Sequence, residues 1–374
     1  MRNIVNIIGG GFAGAEAALT LASFGVEVHL FDDHSPLESL TYEKAISQTF
    51  LNELSALGAE SELSNNLTIL RQKTLQKLQI NDKIKIFNEK VGEISLYEPT
   101  IIASGTNTAS QLFNQISHIV GAHNCKRHSF SPLILEGKIE GIEDENYVYV
   151  SVPQESLSQI CAYLKQFKSA HESIENWAAS GLQLLKAKAF KPVFVAGKII
   201  PNCLKFNKQN KKFVLNNAQT FLNETQQAQL ISFIPALKNA TISSFVEAIS
   251  CTRILPICVN NHLQCTRNEN IYFAGAVLGF DGELEAIASG HLAAINLACK
   301  MFGLKEINYP NDTLCQKLCQ RLFSSPHSSS QMYRVCDIIE NVNSQKAESS
   351  LEKFKEEINA RISWHNNLCS QKRW

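Results

Sequence analysis

Residues 5 to 32 read VNIIGGGFAGAEAALTLASFGVEVHLFD, and this stretch decides the fold. An apolar run of strand length, Ile4 to Ile8, leads into Gly9-Gly10-Gly11-Phe12-Ala13-Gly14, which fits G-x-G-x-x-G. An Ala/Leu-rich helical segment follows. A second apolar run, Val26 to Phe31, closes on Asp32, 23 residues after Gly9. Strand, glycine turn, helix, strand and acid in that order form the context that a dinucleotide fingerprint requires. Gly9 permits the tight turn. Gly11 lacks a Cβ, so backbone can approach a pyrophosphate, and Gly14 lets helix and strand pack closely. Phe12 and Ala13 open the helix, whose N-terminus offers free N–H groups and a positive dipole end to phosphates. Asp32 is placed to accept hydrogen bonds from ribose hydroxyls. The fold class expected is α/β, with a Rossmann-like, glutathione-reductase-type dinucleotide domain.

At 374 residues, 44% hydrophobic and 19% charged, the chain can build two or three globular domains. Its 35 basic and 35 acidic residues balance, which excludes a strong overall pull on nucleic acid but not a local patch. The eleven cysteines include no C-x-x-C pair, which favours a reducing, cytoplasmic setting over a disulfide framework. Cys315 and Cys319 are four apart and share one helix face, a spacing that suits packing better than metal. No run reaches the roughly 18 apolar residues of a membrane span.

Further along, residues 42 to 58 carry a helical pattern and Ile84 to Phe87 a strand. Thr100-Ile101-Ile102-Ala103-Ser104-Gly105 reads as a buried strand ending in small residues. In two-dinucleotide-fold flavoproteins such a strand leads to an Ala-Thr-Gly-like turn beside the cofactor, which points to Gly105. Residues 106 to 262 read as a mixed α/β insertion, with a strand at Tyr147 to Val150 and helices at Leu157 to Phe167 and Ile174 to Leu185. A hairpin is expected around Asn207 to Lys212. The dinucleotide fold resumes at 263 with the strand Ile271 to Gly275. A glycine loop through Gly279 and Gly282 and a long helix from Glu283 to Phe302 follow. Gly275, Gly279, Gly282 and Glu285 would face a cofactor from this second loop, and two such loops favour FAD over NAD. The FAD domain thus spans 1–105 and 263–305, and 306–374 forms a helical C-terminal extension.

These residues resemble a known family. Gly9-Gly10-Gly11-Phe12-Ala13-Gly14-Ala15-Glu16-Ala17-Ala18 is similar to the GGGxAGxEAA opening of TrmFO, the folate- and FAD-dependent tRNA uracil-5-methyltransferases, and of the related GidA-type flavoproteins. Phe273 to Gly290 resembles the TrmFO pattern FAGQxTGVEGYVESAASG. Phe190-Lys191-Pro192-Val193 and Ile234 to Ala240 resemble its PMKPVG and IPGLENA stretches. The resemblance implies transfer of a one-carbon unit from methylenetetrahydrofolate to C5 of a uracil, with FAD, and NAD(P)H as a candidate reductant. It implies tRNA or rRNA as the partner, and no membrane. In the family a cysteine thiolate attacks the pyrimidine at C6.

The chain departs from the family at that cysteine. His171 stands in its place within Lys168 to Gly181, and the family's second cysteine motif has no counterpart. Lys186, Lys188 and Lys191 form a basic run suited to RNA phosphates, as do the lysines of the expected hairpin. Three functions stay open: an RNA uracil methyltransferase with a relocated nucleophile, an FAD-dependent oxidoreductase of another reaction, and a non-catalytic RNA-binding relative.

Overall fold

The computed structural model describes residues 4–33, 48–64, 66–105, 108–130, 133–137, 139–143, 147–165, 193–195, 197–200, 203–207, 212–213, 224–245, 249–280, 282–324 and 349–361. They fall into two compact units. The first is Met1–Arg127 with Cys251–Trp374, and the second is His128–Ser250.

The first unit is built on a five-stranded parallel sheet. In chain order its elements are β1 (Ile4–Ile8), α1 (Phe12–Ser23), β2 (Glu27–Asp32), α2 (Gln48–Leu57), α3 (Leu67–Ile80), β3 (Ile84–Asn88), β4 (Thr100–Ile102), α4 (Ser110–Val120), β5 (Ile271–Phe273), α5 (Glu283–Met301) and α6 (Leu314–Ser324). The strand order is β5-β4-β1-β2-β3. Ile7 pairs with Leu30 on one side and with Ile101 on the other, and Ile101 pairs with Tyr272. The order reverses between β1 and β4, and ligands of open α/β sheets bind at the strand C-termini beside such a reversal.

Burial explains why the central strands lack alternation. Val5, Ile7, Ile8, Ile101, Ile102, Ile271, Tyr272 and Phe273 are all buried, as strands covered on both faces require. α1 buries eleven of its twelve residues. Its alanines allow close approach, while Leu19 and Leu21 each contribute about 1.5–3 kcal/mol of apolar burial. The helix ends at Gly25, whose φ of +80° suits only glycine, with Val26 N–H returning to the Leu21 carbonyl.

The first unit reaches beyond the boundaries expected from sequence. Leu112, Ile116 and Val120, at four-residue spacing along α4, join its core, so the segment after Gly105 packs here. The described tail also joins it: Leu314, Leu318 and Leu322 of α6, and Leu351, Phe354 and Ile358 of the helix over 349–361, lie in the same cluster.

The second unit is a six-stranded sheet in the order 240–245, 133–137, 212–213, 203–207, 147–151, 142–143. Val148, Val150 and Val152 alternate inward against Leu157, Ile160 and Tyr163 of the helix Gln154–Lys165 and Leu230 of Glu224–Ser232. The hairpin expected around Asn207 to Lys212 is present as the antiparallel pair Asn207↔Lys212. The expected helix from Ile174 to Leu185 lies outside the described residues. Among the described residues, no helix is long and apolar enough to cross a membrane.

Candidate cofactor site

The glycine turn sits between the end of β1 and the start of α1. Gly9 has a φ of +105°, and its N–H donates to the Phe31 carbonyl of β2. A Cβ on Gly14 would lie 1.9 Å from the Gly9 carbonyl oxygen, so only glycine lets α1 start this close to the turn. Gly11 differs. Its φ of −65° and ψ of −178° are open to any residue, and a Cβ there would meet nothing within 4 Å. Gly11 is the N-cap of α1, and no side chain caps that end. The turn therefore presents a helix N-terminus with clear space over its middle glycine, the steric form of a phosphate cradle. Phe12 and Ala13 are buried in the first turn of the helix. Asp32, at the end of β2, accepts the Gly10 N–H on its carboxylate and is thereby held at the glycine turn.

Two further turns converge on this one. Ala103-Ser104-Gly105 follows β4, and a Cβ on Gly9 would strike the Ala103 carbonyl at 2.6 Å. After β5 comes a short turn over Gly275–Leu278. A Cβ on Gly105 would lie 2.7 Å from the Cβ of Ala276, and one on Gly275 would lie 2.8 Å from the Cβ of Ala13. The Gly9, Gly105 and Gly275 turns thus touch one another at the C-terminal ends of β1, β4 and β5. Gly279 closes the last turn in the left-handed region, φ +94°. Gly282 is the N-cap of α5, and the Glu285 carboxylate folds back over it, as the third residue of a capping box does.

Sequence reasoning missed the buried polar side chains of this unit. Glu16 is fully buried in α1, and its carboxylate accepts the N–H groups of Glu60 at 2.8 Å and Ser61 at 2.7 Å and the Thr20 hydroxyl at 2.9 Å. Burial pushes its pKa up against those hydrogen bonds. A lone acid inside an Ala/Leu helix was the available signal. Ser289 accepts the Gly275 N–H at 2.9 Å and gives its proton to the Ala286 carbonyl, which ties the third turn to α5. Glu53 of α2 caps α6 from afar, accepting from Leu314 N–H at 2.8 Å and Cys315 N–H at 2.7 Å.

The residues expected to carry chemistry are another matter. His171, Lys186, Lys188 and Lys191 lie outside the described residues. The seven cysteines whose side chains are described, Cys125, Cys251, Cys258, Cys265, Cys299, Cys315 and Cys319, are all buried and free. Burial pushes the Cys125 thiol up to about 11 and the Cys258 and Cys319 thiols up to about 12. Burial also raises Cys265, Cys299 and Cys315. An activated nucleophilic thiol has a lowered pKa, the reverse of these six.

Comparison with known proteins agrees with this geometry. The pyridine nucleotide-disulphide oxidoreductase family model matches residues 3–130, and the glucose inhibited division protein A model matches residues 202–305. The solved structure of Aquifex aeolicus GidA superposes with a TM-score of 0.65 at 14% identity, over 98% of this chain and 75% of that one. Methylenetetrahydrofolate–tRNA-(uracil-5-)-methyltransferase TrmFO 1 of Mesoplasma florum is 26% identical, over 82% of this chain and 83% of its own. TrmFO 2 of Mycoplasma mycoides subsp. mycoides is 25% identical over 96% of both chains. Fold and turns together define a flavoprotein with a Rossmann-like FAD-binding domain. Along most of its length the chain is similar to TrmFO proteins.

Proposed function

We propose that this chain is a TrmFO-like protein of RNA modification. In this reading it acts in the cytoplasm, with FAD, methylenetetrahydrofolate and NAD(P)H, to place a methyl on C5 of a uracil in tRNA or rRNA. The observation that carries the cofactor reading is the open space over Gly11 at the meeting point of the Gly9, Gly105 and Gly275 turns. The first unit is then the FAD domain and the second the insertion.

Each residue has a job in that reading. The uncapped start of α1 at Gly11 to Ala13 holds the pyrophosphate. Asp32 uses its remaining acceptor capacity on the ribose hydroxyls, since a carboxylate offers about four lone-pair sites. Gly105, Gly275 and Gly279 bring backbone against the flavin end, and Gly282 with Glu285 sets the α5 start beside it. When bound and reduced by NAD(P)H, the flavin would supply the two electrons that convert a transferred methylene to a methyl. Lys186, Lys188 and Lys191 are the proposed contacts to RNA phosphates.

The burial of the seven cysteines with described side chains favours a second reading. A protein that keeps the flavin cradle without the family's thiolate fits a flavoprotein of another reaction, or an RNA-binding relative without turnover. The test is sequential. The purified full-length protein is assayed for a flavin absorption band, directly and after reconstitution with FAD. It is then assayed for methyl incorporation into uracil-bearing tRNA and rRNA with methylenetetrahydrofolate and a reductant. Flavin with transfer supports the first reading. Flavin without transfer moves the chain to another reaction. A protein that FAD cannot reconstitute overturns the cofactor site and leaves the non-catalytic reading.

A further inference from the structure

The turn after β4 is fixed by a relay of hydrogen bonds that the fingerprint does not contain. The Gly105 carbonyl accepts twice: from the Thr252 N–H at 2.8 Å and from the Thr108 hydroxyl at 3.2 Å. With the Thr108 proton committed there, Ser104 Oγ is the donor in its 3.0 Å contact with Thr108 Oγ1. Thr108 is 5% exposed and is itself held by Arg127. The guanidinium donates to the Thr108 carbonyl at 2.9 Å, the Ala109 carbonyl at 3.4 Å and the Ser110 hydroxyl at 3.2 Å. It also lies 4.6 Å over the Phe113 ring. A planar donor that spans two carbonyls and a hydroxyl while stacked on an aromatic ring has little freedom left. Arg127 is the last residue of the first unit before the chain leaves it, and Thr252 is the second after the chain returns. Both ends of that excursion are therefore bonded to the Gly105 turn and the residues just after it.

We infer that Arg127, acting through Thr108, is a positioning residue for the Gly105 peptide where it meets the flavin; the inference rests on the proposed FAD site. Arg127 and Thr108 touch no cofactor themselves. They hold the Gly105 carbonyl turned toward Thr252 and Thr108, so the turn keeps one shape before the cofactor arrives. Preorganised contacts of this kind lower the ordering cost that binding otherwise carries.

The test uses the full-length protein stripped of flavin and titrated with FAD. The variants are Arg127→Gln, Thr108→Val and the double variant. The expected result is about ten-fold weaker FAD binding in each single variant, as for loss of one charge-assisted or buried hydrogen bond. The flavin's visible spectrum and midpoint potential should shift with it, while the melting temperature of the flavin-free protein stays within about 3 °C of wild type. The double variant should bind no worse than the weaker single, because the two residues act in series. Wild-type affinity and spectrum in Arg127→Gln would overturn the inference, as would fully additive losses in the double variant. If Arg127→Gln does not fold, Thr108→Val alone decides: unchanged FAD binding there also overturns it. A wild-type protein that takes up no FAD would overturn the cofactor reading as well, and the two failures are thereby told apart.

Discussion

Gly11 and Gly14 lie three residues apart in one motif, yet the structure gives them opposite sensitivities. A Cβ at Gly14 would sit 1.9 Å from the Gly9 carbonyl oxygen, where ordinary contact begins near 3.4 Å. The shortfall, 3.4 − 1.9, is about 1.5 Å against backbone that cannot swing aside, so α1 or the turn must move. Overpacking of this severity costs about 3 kcal/mol. At about 2–4 °C per kcal/mol for a unit of this size, Gly14→Ala should melt about 6–12 °C below wild type even without cofactor. A Cβ on Gly11 would meet no neighbour within 4 Å, and the residue sits in an extended conformation that valine accepts. The flavin-free Gly11→Val protein should therefore melt within about 2 °C of wild type, since substitutions clear of packing cost about 0.5 kcal/mol or less. Its isopropyl group fills the space a pyrophosphate would occupy, so it should retain no flavin. The assay pairs differential scanning calorimetry of flavin-free protein with the flavin content of protein purified and reconstituted under the same conditions. A flavin-replete Gly11→Val protein would refute the placement of the phosphates. A Gly14→Ala protein as stable as wild type would refute the packing argument, and a Gly11→Val protein that unfolds would show Gly11 to be structural.

Two further outcomes follow from buried titratable groups. His291 of α5 is 2% exposed, its Nδ1 lies 2.9 Å from Tyr309 Oη, and burial lowers its pKa to about 4. The unfolded chain binds that proton below about 6.5, so stability should fall as pH drops from 6.5 toward 4, by about 3 kcal/mol in full; His291→Gln should flatten this slope in urea titrations, and an unchanged slope would remove His291 as its source. Glu53→Ala leaves the Leu314 and Cys315 N–H groups at the start of α6 without their carboxylate and should cost about 2–3 kcal/mol. Hydrogen exchange in that variant should rise first in α6, and uniform loss of protection across the first unit would contradict a local capping role.

Much of this fold was legible because its signals are local. The Ala/Leu-rich run of α1, the buried runs of β1, β4 and β5 and the order of glycines and acid point to a parallel sheet with a turn at its switch point. The hairpin at Asn207 and Lys212 and the strand at Tyr147 were legible for the same reason. α3 was not read from the sequence. Its residues LTILRQKTLQKLQI carry no sharp apolar stripe, and its clearest mark is Asn66, whose side chain accepts the Thr68 and Ile69 N–H groups as an N-cap. The placement of α4 and of the tail helices in the first core was not legible either. A leucine spacing shows that a helix has an apolar face, but not which unit that face meets. The relay from Arg127 to Gly105 and the cap from Glu53 to α6 join residues distant in the chain, and no periodicity marks such pairs.

Flavin binding and thiolate chemistry place different demands on the described residues. The proposed flavin site rests on geometry that tolerates little change: the Gly14 contact, the Gly105 and Gly275 turns, and Asp32 bonded to the Gly10 N–H. The same region also holds the core together, because α1 packs on α5 through small residues. A Cβ on Gly290 would strike the Ala13 carbonyl at 2.1 Å. Drift in sequence is therefore resisted here whether or not any reaction occurs. What thiolate chemistry needs is different: a cysteine with a lowered pKa and access to solvent. The seven cysteines with described side chains are instead buried. Cys315 and Cys319 face inward from α6, and Cys125 and Cys258 join the main apolar cluster. A thiol that burial pushes up to about 11 or 12 lacks the lowered pKa of an activated nucleophile, and its burial leaves no approach for a pyrimidine ring. Retention of the cradle is thus weak support for turnover, since packing alone would preserve it. The decisive chemistry is methyl transfer itself, because it requires a nucleophile that the buried cysteines do not supply.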